Sequence, residues 1–308
     1  EDGIRDVERS RGLGDVYKRQ PLFEADALER ERKVILEEIK MYHDDPRAYV
    51  LEKIKELLYE KPFGMFTAGT HQTMSRISRK DVLNIFSSNY STNNMILAVV
   101  GRANFQDICD MAKKIFPKKF RKTKEKIPVK KYGESIEKRK GLDQANLVFG
   151  YHVPSLREKG RYGAEILNAI LGLGMSSRLF REIREKRGLA YAVKGFLEQD
   201  KNYGYGAIYV GTTADKIRHV KELILKEIKK IKEVEQREIS EIKEQLIGLR
   251  AVESEESEQA MLHLLAEENA GGAEKYYQYE EKINFVKLAD IKKLARLKGY
   301  SFAALVPH

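Results

Sequence analysis

The sequence predicts an α+β fold made of two successive units, each with a sheet covered by helices, the first one incomplete. Three observations predict it. The 308 residues exceed the commonest size of a single domain and suit two domains. Amphipathic helical patterns alternate with short apolar runs of strand length. The order of these patterns begins again at Gly141 and is fuller the second time.

The same patterns divide the chain into four segments. Residues 1–20 are polar and lack a helical or strand period, so they are predicted to be a foreign, disordered leader. Residues 21–120 are predicted to be the C-terminal part of a first domain. Residues 121–140 are basic and are predicted to be a linker. Residues 141–308 are predicted to form a second domain.

In the first unit, helical periodicity runs over residues 28–61 and is interrupted at Asp44-Asp45-Pro46, where the proline can begin the next helix. Ser78 and Asn104 each precede a helical pattern and are predicted N-caps. Between these two helices, Met95–Val100 is an apolar run that ends at a glycine. We predict a strand there.

The second unit is predicted to contain several strands and helices, and one pair of strands follows directly along the chain. The predicted strands are Ala145–Tyr151, Tyr191–Leu197, Tyr203–Val210 and Ser301–Val306. The predicted helices are Gly163–Leu171, Ser177–Lys186, Asp215–Val234, Ser240–Ser254, Glu255–Ala270 and Leu288–Leu297.

Composition excludes some classes of protein. The net charge is +10, but the lysines are mixed with glutamates on helices and no zinc-finger spacing is present, so a nucleic-acid partner is not expected. No apolar run approaches the roughly 20 residues that cross a bilayer, so no membrane partner is expected. Cys109 is the single cysteine, which rules out an intrachain disulfide. A cytoplasmic location is the default expectation.

Two carboxylates, Glu31 and Glu38, lie seven residues apart in the first helical pattern. On an α-helix this spacing is about two turns, so both side chains project from one face. Val34, Ile35 and Ile39 predict that the helix is partly buried. A carboxylate on such a helix needs a cation or a basic partner. On spacing alone, a solvated charged helix remains the alternative.

The segment Glu31–Ile39 resembles the helix that carries the third zinc ligand in pitrilysin/insulinase-type metallopeptidases, the superfamily that includes mitochondrial processing peptidase. The resemblance implies that Glu38 binds Zn2+ and that Glu31 supports the site. Residues 69–101 resemble a scaffold passage of the same family. The implied fold is two processing-peptidase-like units with mostly antiparallel sheets.

A longer match lies in the second unit. Leu171–Phe180 reads L-G-L-G-M-S-S-R-L-F, and Arg184–Tyr191 reads R-E-K-R-G-L-A-Y. Together they resemble the signature of the family's second domain. The resemblance implies that Arg184 holds a substrate carbonyl or carboxylate and that the Tyr191 hydroxyl stabilises the oxyanion. Taken singly, a surface charge and a half-buried aromatic are the alternatives.

The family's upstream H-x-x-E-H motif does not occur in these 308 residues. A catalytic zinc site needs three protein ligands, and only Glu38 is predicted here. We therefore predict an inactive fragment of a zinc endopeptidase that cleaves peptides in a chamber between two half-shells. The parent is expected to take peptides or unfolded polypeptides and to form a homodimer. The alternative is a non-catalytic structural or substrate-presenting subunit of a processing-peptidase-like complex.

Overall fold

The computed structural model describes residues 22–116, 120–121 and 125–308. The predicted leader and part of the predicted linker lie outside these residues. The chain divides into two compact units. The first contains the described residues up to Met41, then Ala68–Met95 and those between 116 and 123. The second contains Tyr42–Thr67, Ile96–Ile115 and the described residues from 125 to the end.

Helices account for most of the described chain. The α-helices are α1 (Ala25–Asp44), α2 (Pro46–Leu58), α3 (His71–Arg76), α4 (Arg79–Asn89), α5 (Phe105–Ile115), α6 (Arg161–Gly172), α7 (Ile217–Lys230), α8 (Gln236–Glu253), α9 (Ser257–Ala270), α10 (Tyr279–Phe285) and α11 (Leu288–Leu294). The strands are β1 (Glu134–Arg139), β2 (Ala145–His152), β3 (Ala190–Gln199), β4 (Gly204–Thr212) and β5 (Ser301–Pro307).

Side-chain caps fix the helix starts that the sequence predicts. The Asp45 side chain accepts hydrogen bonds from the Arg47 and Ala48 amides at the start of α2. Ser78 forms a capping box at the start of α4. Asn104 accepts from two amides of the first turn of α5, at 2.8 and 3.2 Å. Each cap satisfies amides that have no partner within the helix, and the predicted starts are confirmed.

The described residues of the first unit form helices and connecting loops, with no strand among them. The Arg32 guanidinium on α1 donates to the carbonyls of Met74 and Ile77, the residues where α3 ends. The Phe23 and Phe86 rings meet edge to face with centroids 5.4 Å apart. These contacts tie α1 and the residue Phe23 just before it to the two shorter helices of the same unit.

A five-stranded sheet forms the centre of the second unit, in the order β1-β5-β2-β4-β3. Strand β1 is parallel to β5, and the other neighbours are antiparallel. The sheet is therefore mixed but mostly antiparallel, and the predicted α+β class is confirmed. Strand β3 lies at one edge of the sheet.

Helices pack against both faces of this sheet, and the buried side chains alternate between the faces along each strand. One face packs against α6, α7, α10 and α11, through buried residues such as Leu147 and Ile208. The other face, which we call the α2 face, packs against α2. Ile54 and Leu58 are fully buried there. A side chain at Gly150 of β2 would lie 2.6 Å from Ile54, so the glycine lets α2 lie directly on the sheet.

One strand prediction is wrong, and one strand of the sheet was not predicted. Met95–Val100 is not a strand, and it pairs with no strand in the described part of the chain. Its apolar residues predict a strand, but a strand forms only where a neighbour accepts its backbone hydrogen bonds. The side chains of Ile96 and Leu97 are about half exposed, at 49% and 55%. Conversely, β1 was not predicted, although it lies within residues 121–140.

Candidate functional site

Arg184 lies on a π-helical turn, Phe180–Glu185, where the sequence predicts an ordinary helix over Ser177–Lys186. The Lys186 amide donates to the Arg181 carbonyl, five residues back, at 2.9 Å. A π turn is wider than an α turn and is often found at functional sites. The chain leaves the turn at Gly188, whose φ of 59° is left-handed, and enters β3 two residues later.

The Arg184 side chain is exposed, and its guanidinium carbon lies 5.0 Å from the centre of the Phe180 ring. The nearby carboxylate of Glu182 is engaged elsewhere, with Lys186 at 3.1 Å and Arg187 at 2.6 Å. Arg184 forms no ion pair with any described carboxylate. Its charge is therefore held over an aromatic face and is available to a ligand.

Lys186 and Arg187 stabilise the ionised form of the Glu182 carboxyl group. Burial alone would raise the pKa of the Glu182 carboxyl, but hydrogen bonds and charge from Lys186 and Arg187 outweigh burial and lower the pKa below its ordinary value. Glu182 therefore stays ionised at neutral pH. It holds Lys186 and Arg187, the two cations that follow the turn, and leaves Arg184 without an ion-pair partner among the described residues.

Tyr191 occupies a β-bulge at the start of β3. In the register of β3 with β4, Ala190 lies opposite Thr212 and Ala192 lies opposite Gly211, so Tyr191 has no partner residue. A bulge changes the direction of the side chains around it. Here it directs Tyr191 to the α2 face, where Ala192 also packs.

The Tyr191 hydroxyl lies next to two polar side chains, those of Asn146 and Tyr209. That hydroxyl lies 3.4 Å from the side-chain oxygen of Asn146 and 3.5 Å from the hydroxyl of Tyr209. Tyr209 itself donates to the same Asn146 oxygen at 2.6 Å. The two contacts of Tyr191 are long for hydrogen bonds between oxygens. They orient the Tyr191 hydroxyl, but neither is a strong hydrogen bond that would use its proton. Tyr191 is 45% exposed, and its proton is available to a ligand.

Gly211 makes room for the Tyr191 ring. A Cβ atom built on Gly211 would lie 2.1 Å from the Tyr191 ring carbon that bears the hydroxyl. The ring therefore rests on the β4 backbone, in space that any other residue at 211 would fill. A glycine inside a strand often marks such a close approach, and this is the sequence signal that points to the site.

Tyr209 keeps its proton over the whole neutral range. Burial raises the pKa of its hydroxyl, and the hydrogen bond and nearby charge of Tyr191 add to the rise, whereas the positive charge of Arg47 lowers it. A protonated Tyr209 donates to Asn146 and leaves its own oxygen free to accept from Tyr191. The sequence pattern does not single out Asn146, Tyr209 or Gly211 as site residues.

Two contacts hold the signature segment in place. Arg178 donates twice to Glu238 of α8, at 2.7 and 2.6 Å, in the paired geometry that guanidinium and carboxylate groups favour. The backbones of Gly172, at the end of α6, and Gly195, on β3, are so close that a Cβ on Gly172 would lie 2.6 Å from the Gly195 nitrogen. The signature residues therefore fix α6, the π turn and β3 against one another.

The predicted metal ligands lie on α1. Glu31 and Glu38 are both exposed, and α1 buries none of its residues. Val34 is 51% exposed, so the prediction of a partly buried position is wrong for this residue. No three His, Cys, Asp or Glu side chains come together as a metal site anywhere in residues 22–116, 120–121 and 125–308. These residues do not complete a zinc site, and Glu38 provides at most one ligand.

A family profile described as the peptidase M16 inactive domain matches residues 76–246, more than half of the chain. The chain belongs to the peptidase M16 family. The family resemblance predicted from the sequence is thereby confirmed, and the profile covers the M16 segment that contains Arg184 and Tyr191.

Individual proteins are similar to this chain in sequence or in fold. An uncharacterized zinc protease of Rickettsia felis is 32% identical over 219 residues, which are 70% of this chain and 52% of that protein. The crystal structure of a peptidase M16 inactive domain from Pseudomonas fluorescens matches with a TM-score of 0.85 at 19% identity, covering 99% of this chain and 76% of that one. A chain of complex III2 from Candida albicans matches with a TM-score of 0.80 at 18% identity, covering 92% and 73%.

This M16 chain spans about half the length of the zinc proteases that it matches. The activity, substrates and partners of a whole M16 protein are therefore proposals for this chain. Within the part of the chain that the structure describes, no helix has both the length and the apolar character needed to span a membrane.

Proposed function

We propose that this chain is the substrate-binding half of an M16 zinc endopeptidase that cleaves peptides in a chamber between two half-shells. The observation that carries the proposal is the bulge that directs Tyr191 to the α2 face of the sheet. There its hydroxyl lies at the edge of the Asn146–Tyr209 pair with its proton available.

Arg184 and Tyr191 have separate roles in this proposal. The planar donors of Arg184 bind a backbone carbonyl or a carboxylate of the peptide. The Tyr191 hydroxyl donates to the oxygen that becomes negative as the peptide bond is attacked. A single donor of this kind is worth roughly 3 kcal/mol, or about 10²–10³-fold in rate. Asn146 and Tyr209 position Tyr191, and they need not touch the substrate.

For the metal, the proposal retains Glu38 as one carboxylate ligand of Zn2+, with Glu31 in support. The other ligands must come from outside the described residues, because these bring no three ligands together. No reaction step of this chain is therefore assigned to zinc. A homodimeric parent, a cytoplasmic location and peptides or unfolded polypeptides as substrates remain parts of the proposal.

A second candidate function is a non-catalytic structural or substrate-presenting subunit of a processing-peptidase-like complex. Two findings favour it: the matching family profile is described as an inactive domain, and a chain of complex III2 shares the fold. Such a subunit has no need for a hydroxyl at position 191. The two functions therefore differ in what they expect of Tyr191.

Peptide binding by the full 308-residue chain tests the leading proposal. We expect Arg184→Ala to weaken the binding of a short, unstructured, fluorescein-labelled peptide about three- to tenfold, the size of one lost hydrogen bond. Tyr191→Phe should weaken binding less, because its hydrogen bond is strongest to the oxygen that becomes negative during the reaction. Arg237→Ala is the control, because Arg237 is an exposed cation on α8. Fluorescence anisotropy gives the Kd of each variant. If both site variants bind as tightly as the control, the assigned roles are wrong and the structural subunit is favoured.

A further inference from the structure

We infer that Arg47 and Lys194 form a carboxylate-binding subsite next to Tyr191, which selects an acidic group in the bound peptide. The inference rests on the proposed peptide-binding function and names a specificity within it. Neither residue belongs to the family signature that singles out Arg184 and Tyr191.

The sheet places Lys194 beside the Tyr191 cluster. Lys194 lies directly opposite Tyr209 in the register of β3 with β4. Residues two apart on a strand share a face, so Lys194 lies on the α2 face with Phe196. Arg47 reaches this face from the first turn of α2. All of these residues belong to the second unit.

Aromatic rings hold both cations. The guanidinium carbon of Arg47 lies 5.1 Å from the centre of the Tyr209 ring and 5.7 Å from that of Phe196. The Lys194 ammonium lies 5.3 Å from the centre of the Phe196 ring. Two positive charges thus share one aromatic ring, and cation–π attraction fixes where they are presented.

No described carboxylate neutralises this pair. Arg47 and Lys194 are exposed and form no ion pair in the described part of the chain. Asp45, two residues from Arg47, uses its carboxylate to cap α2, accepting from the Arg47 amide at 2.8 Å. Glu198, on the same face of β3, accepts from Tyr203 at 3.0 Å and from Tyr205 at 2.6 Å. Asp45 and Glu198 are therefore engaged by other groups, and both positive charges, 5.7 and 5.3 Å from the centre of the Phe196 ring, have no ion-pair partner among the described residues.

A carboxylate is the ligand that this arrangement fits. It offers a bidentate acceptor to the Arg47 guanidinium and a second charge-assisted contact to Lys194. Tyr209 touches Arg47 with its ring and Tyr191 with its hydroxyl, so the bound acid would lie one aromatic ring away from the proposed oxyanion donor. The acid can be a Glu or Asp side chain of the peptide or its C-terminal carboxylate.

The test uses the full chain and matched labelled peptides. One pair differs by Glu against Gln at a single position, and a second pair differs by a free against an amidated C-terminus. We expect at least one acidic peptide to bind about three- to tenfold tighter than its neutral partner at low salt, and the preference to shrink as salt is raised. The pair that shows the preference identifies the source of the carboxylate.

Substitutions test whether the preference for acidic peptides depends on Arg47 and Lys194. Arg47→Gln and Lys194→Gln are expected to reduce it to within about twofold, while Arg47→Lys keeps part of it because the charge remains and the bidentate geometry is lost. The control is Arg218→Gln, a cation on α7 whose side chain is 94% exposed. Equal binding of acidic and neutral peptides by the parent chain overturns the subsite and leaves the proposed function standing. No binding of any peptide at millimolar concentration overturns both.

Discussion

Without the bulge beside Ala190, the alternation of β3 would point Tyr191 to the face that packs against α6 and α7, because Val193 packs there. The bulge reverses this direction for one residue. It places a hydroxyl next to Asn146 and Tyr209 and keeps the rest of β3 in register. The site therefore depends on one unpaired backbone position as much as on the tyrosine itself.

A second polar group lies away from this site, on α6. The Glu165 carboxylate accepts from the Tyr279 hydroxyl at 2.9 Å. Burial raises the pKa of Glu165 to about 7, although the hydrogen bond from Tyr279 and the positive charges of Arg250 and Arg161 act in the opposite direction. Glu165 is therefore a carboxyl group that titrates near neutral pH in the folded chain.

This pKa predicts a pH dependence of stability. Between the unfolded pKa of 4.5 and the folded pKa of about 7, the folded chain binds more protons at Glu165 than the unfolded chain does. Stability from this group is therefore present at low pH and is lost as the pH rises to 7, by up to about 3 kcal/mol. Glu165→Gln should flatten the dependence. Urea unfolding gives the free energy of unfolding of the parent and of Glu165→Gln at pH 5 and at pH 8. If the change between the two pH values is the same in both proteins, Glu165 does not have this role.

At this scale, the sequence proposes residues for the candidate site but does not predict their geometry. Arg184 and Tyr191 stand in one contiguous signature, so a linear pattern is enough to find them. Asn146 and Tyr209 lie on strands remote in sequence, and their contact with Tyr191 depends on the register of three strands. The bulge that joins them has no signature of its own. Gly211 is the local hint, because a glycine within a strand often marks a close approach.

At the scale of elements, α6 and β3 meet through two glycines. A Cβ on Gly172 would lie 2.6 Å from the Gly195 nitrogen, and one on Gly195 would lie 2.9 Å from the Asn168 side-chain oxygen. Helix α6, whose last two residues begin the signature, thus touches the backbone of the strand that bears Tyr191. No side chain at either position fits without moving one element away from the other.

We predict that Gly172→Ala destabilises the chain by about 1–3 kcal/mol, the usual cost of overpacking a core. Gly248→Ala is the matched control. Gly248 lies within α8, and a Cβ added there would have no atom within 4 Å, so alanine should be neutral or should stabilise the helix by up to about 1 kcal/mol. Urea unfolding gives both values. Equal stability of the two variants would show that α6 and β3 can separate without cost.

Helices were easier to predict than strands for a physical reason. Helical caps such as Ser78 and Asn104 act over three residues, so the sequence displays them. Strand β1 has a polar, alternating sequence and pairs with β5, which lies far along the chain. Met95–Val100 has the opposite character, apolar but without a partner strand among the described residues. Whether each of these segments becomes a strand depends on pairing with a strand remote in sequence, and a local sequence pattern carries no information about that pairing.

At the scale of the whole molecule, α2 is an essential part of the second unit. Its buried residues Ile54 and Leu58 cover the α2 face of the sheet. The boundaries predicted from the sequence, 21–120 and 141–308, remain a proposal. Any shortened form of the chain that is meant to preserve the site must keep α2, because α2 also supplies Arg47.

We expect the isolated 308-residue chain to lack zinc-dependent peptidase activity. A catalytic zinc ion needs three protein ligands, and Glu38 provides at most one among the described residues. Metal analysis of the purified chain, together with a quenched-fluorescence peptide assay in the presence and absence of chelator, provides the measurement. Stoichiometric zinc with chelator-sensitive cleavage would contradict the ligand assignment.

The contact between Tyr191 and Gly211 also couples two positions. The ring and any Cβ at 211 would occupy the same volume, so bulk at one position excludes bulk at the other. Gly211→Ala alone should displace the ring. The double variant with Gly211→Ala and Tyr191→Ala should lose less free energy of unfolding than the sum of the two single losses. A natural M16 sequence that carries a larger residue at the position of Gly211 should therefore have given up this orientation of its tyrosine, and with it the proposed oxyanion contact.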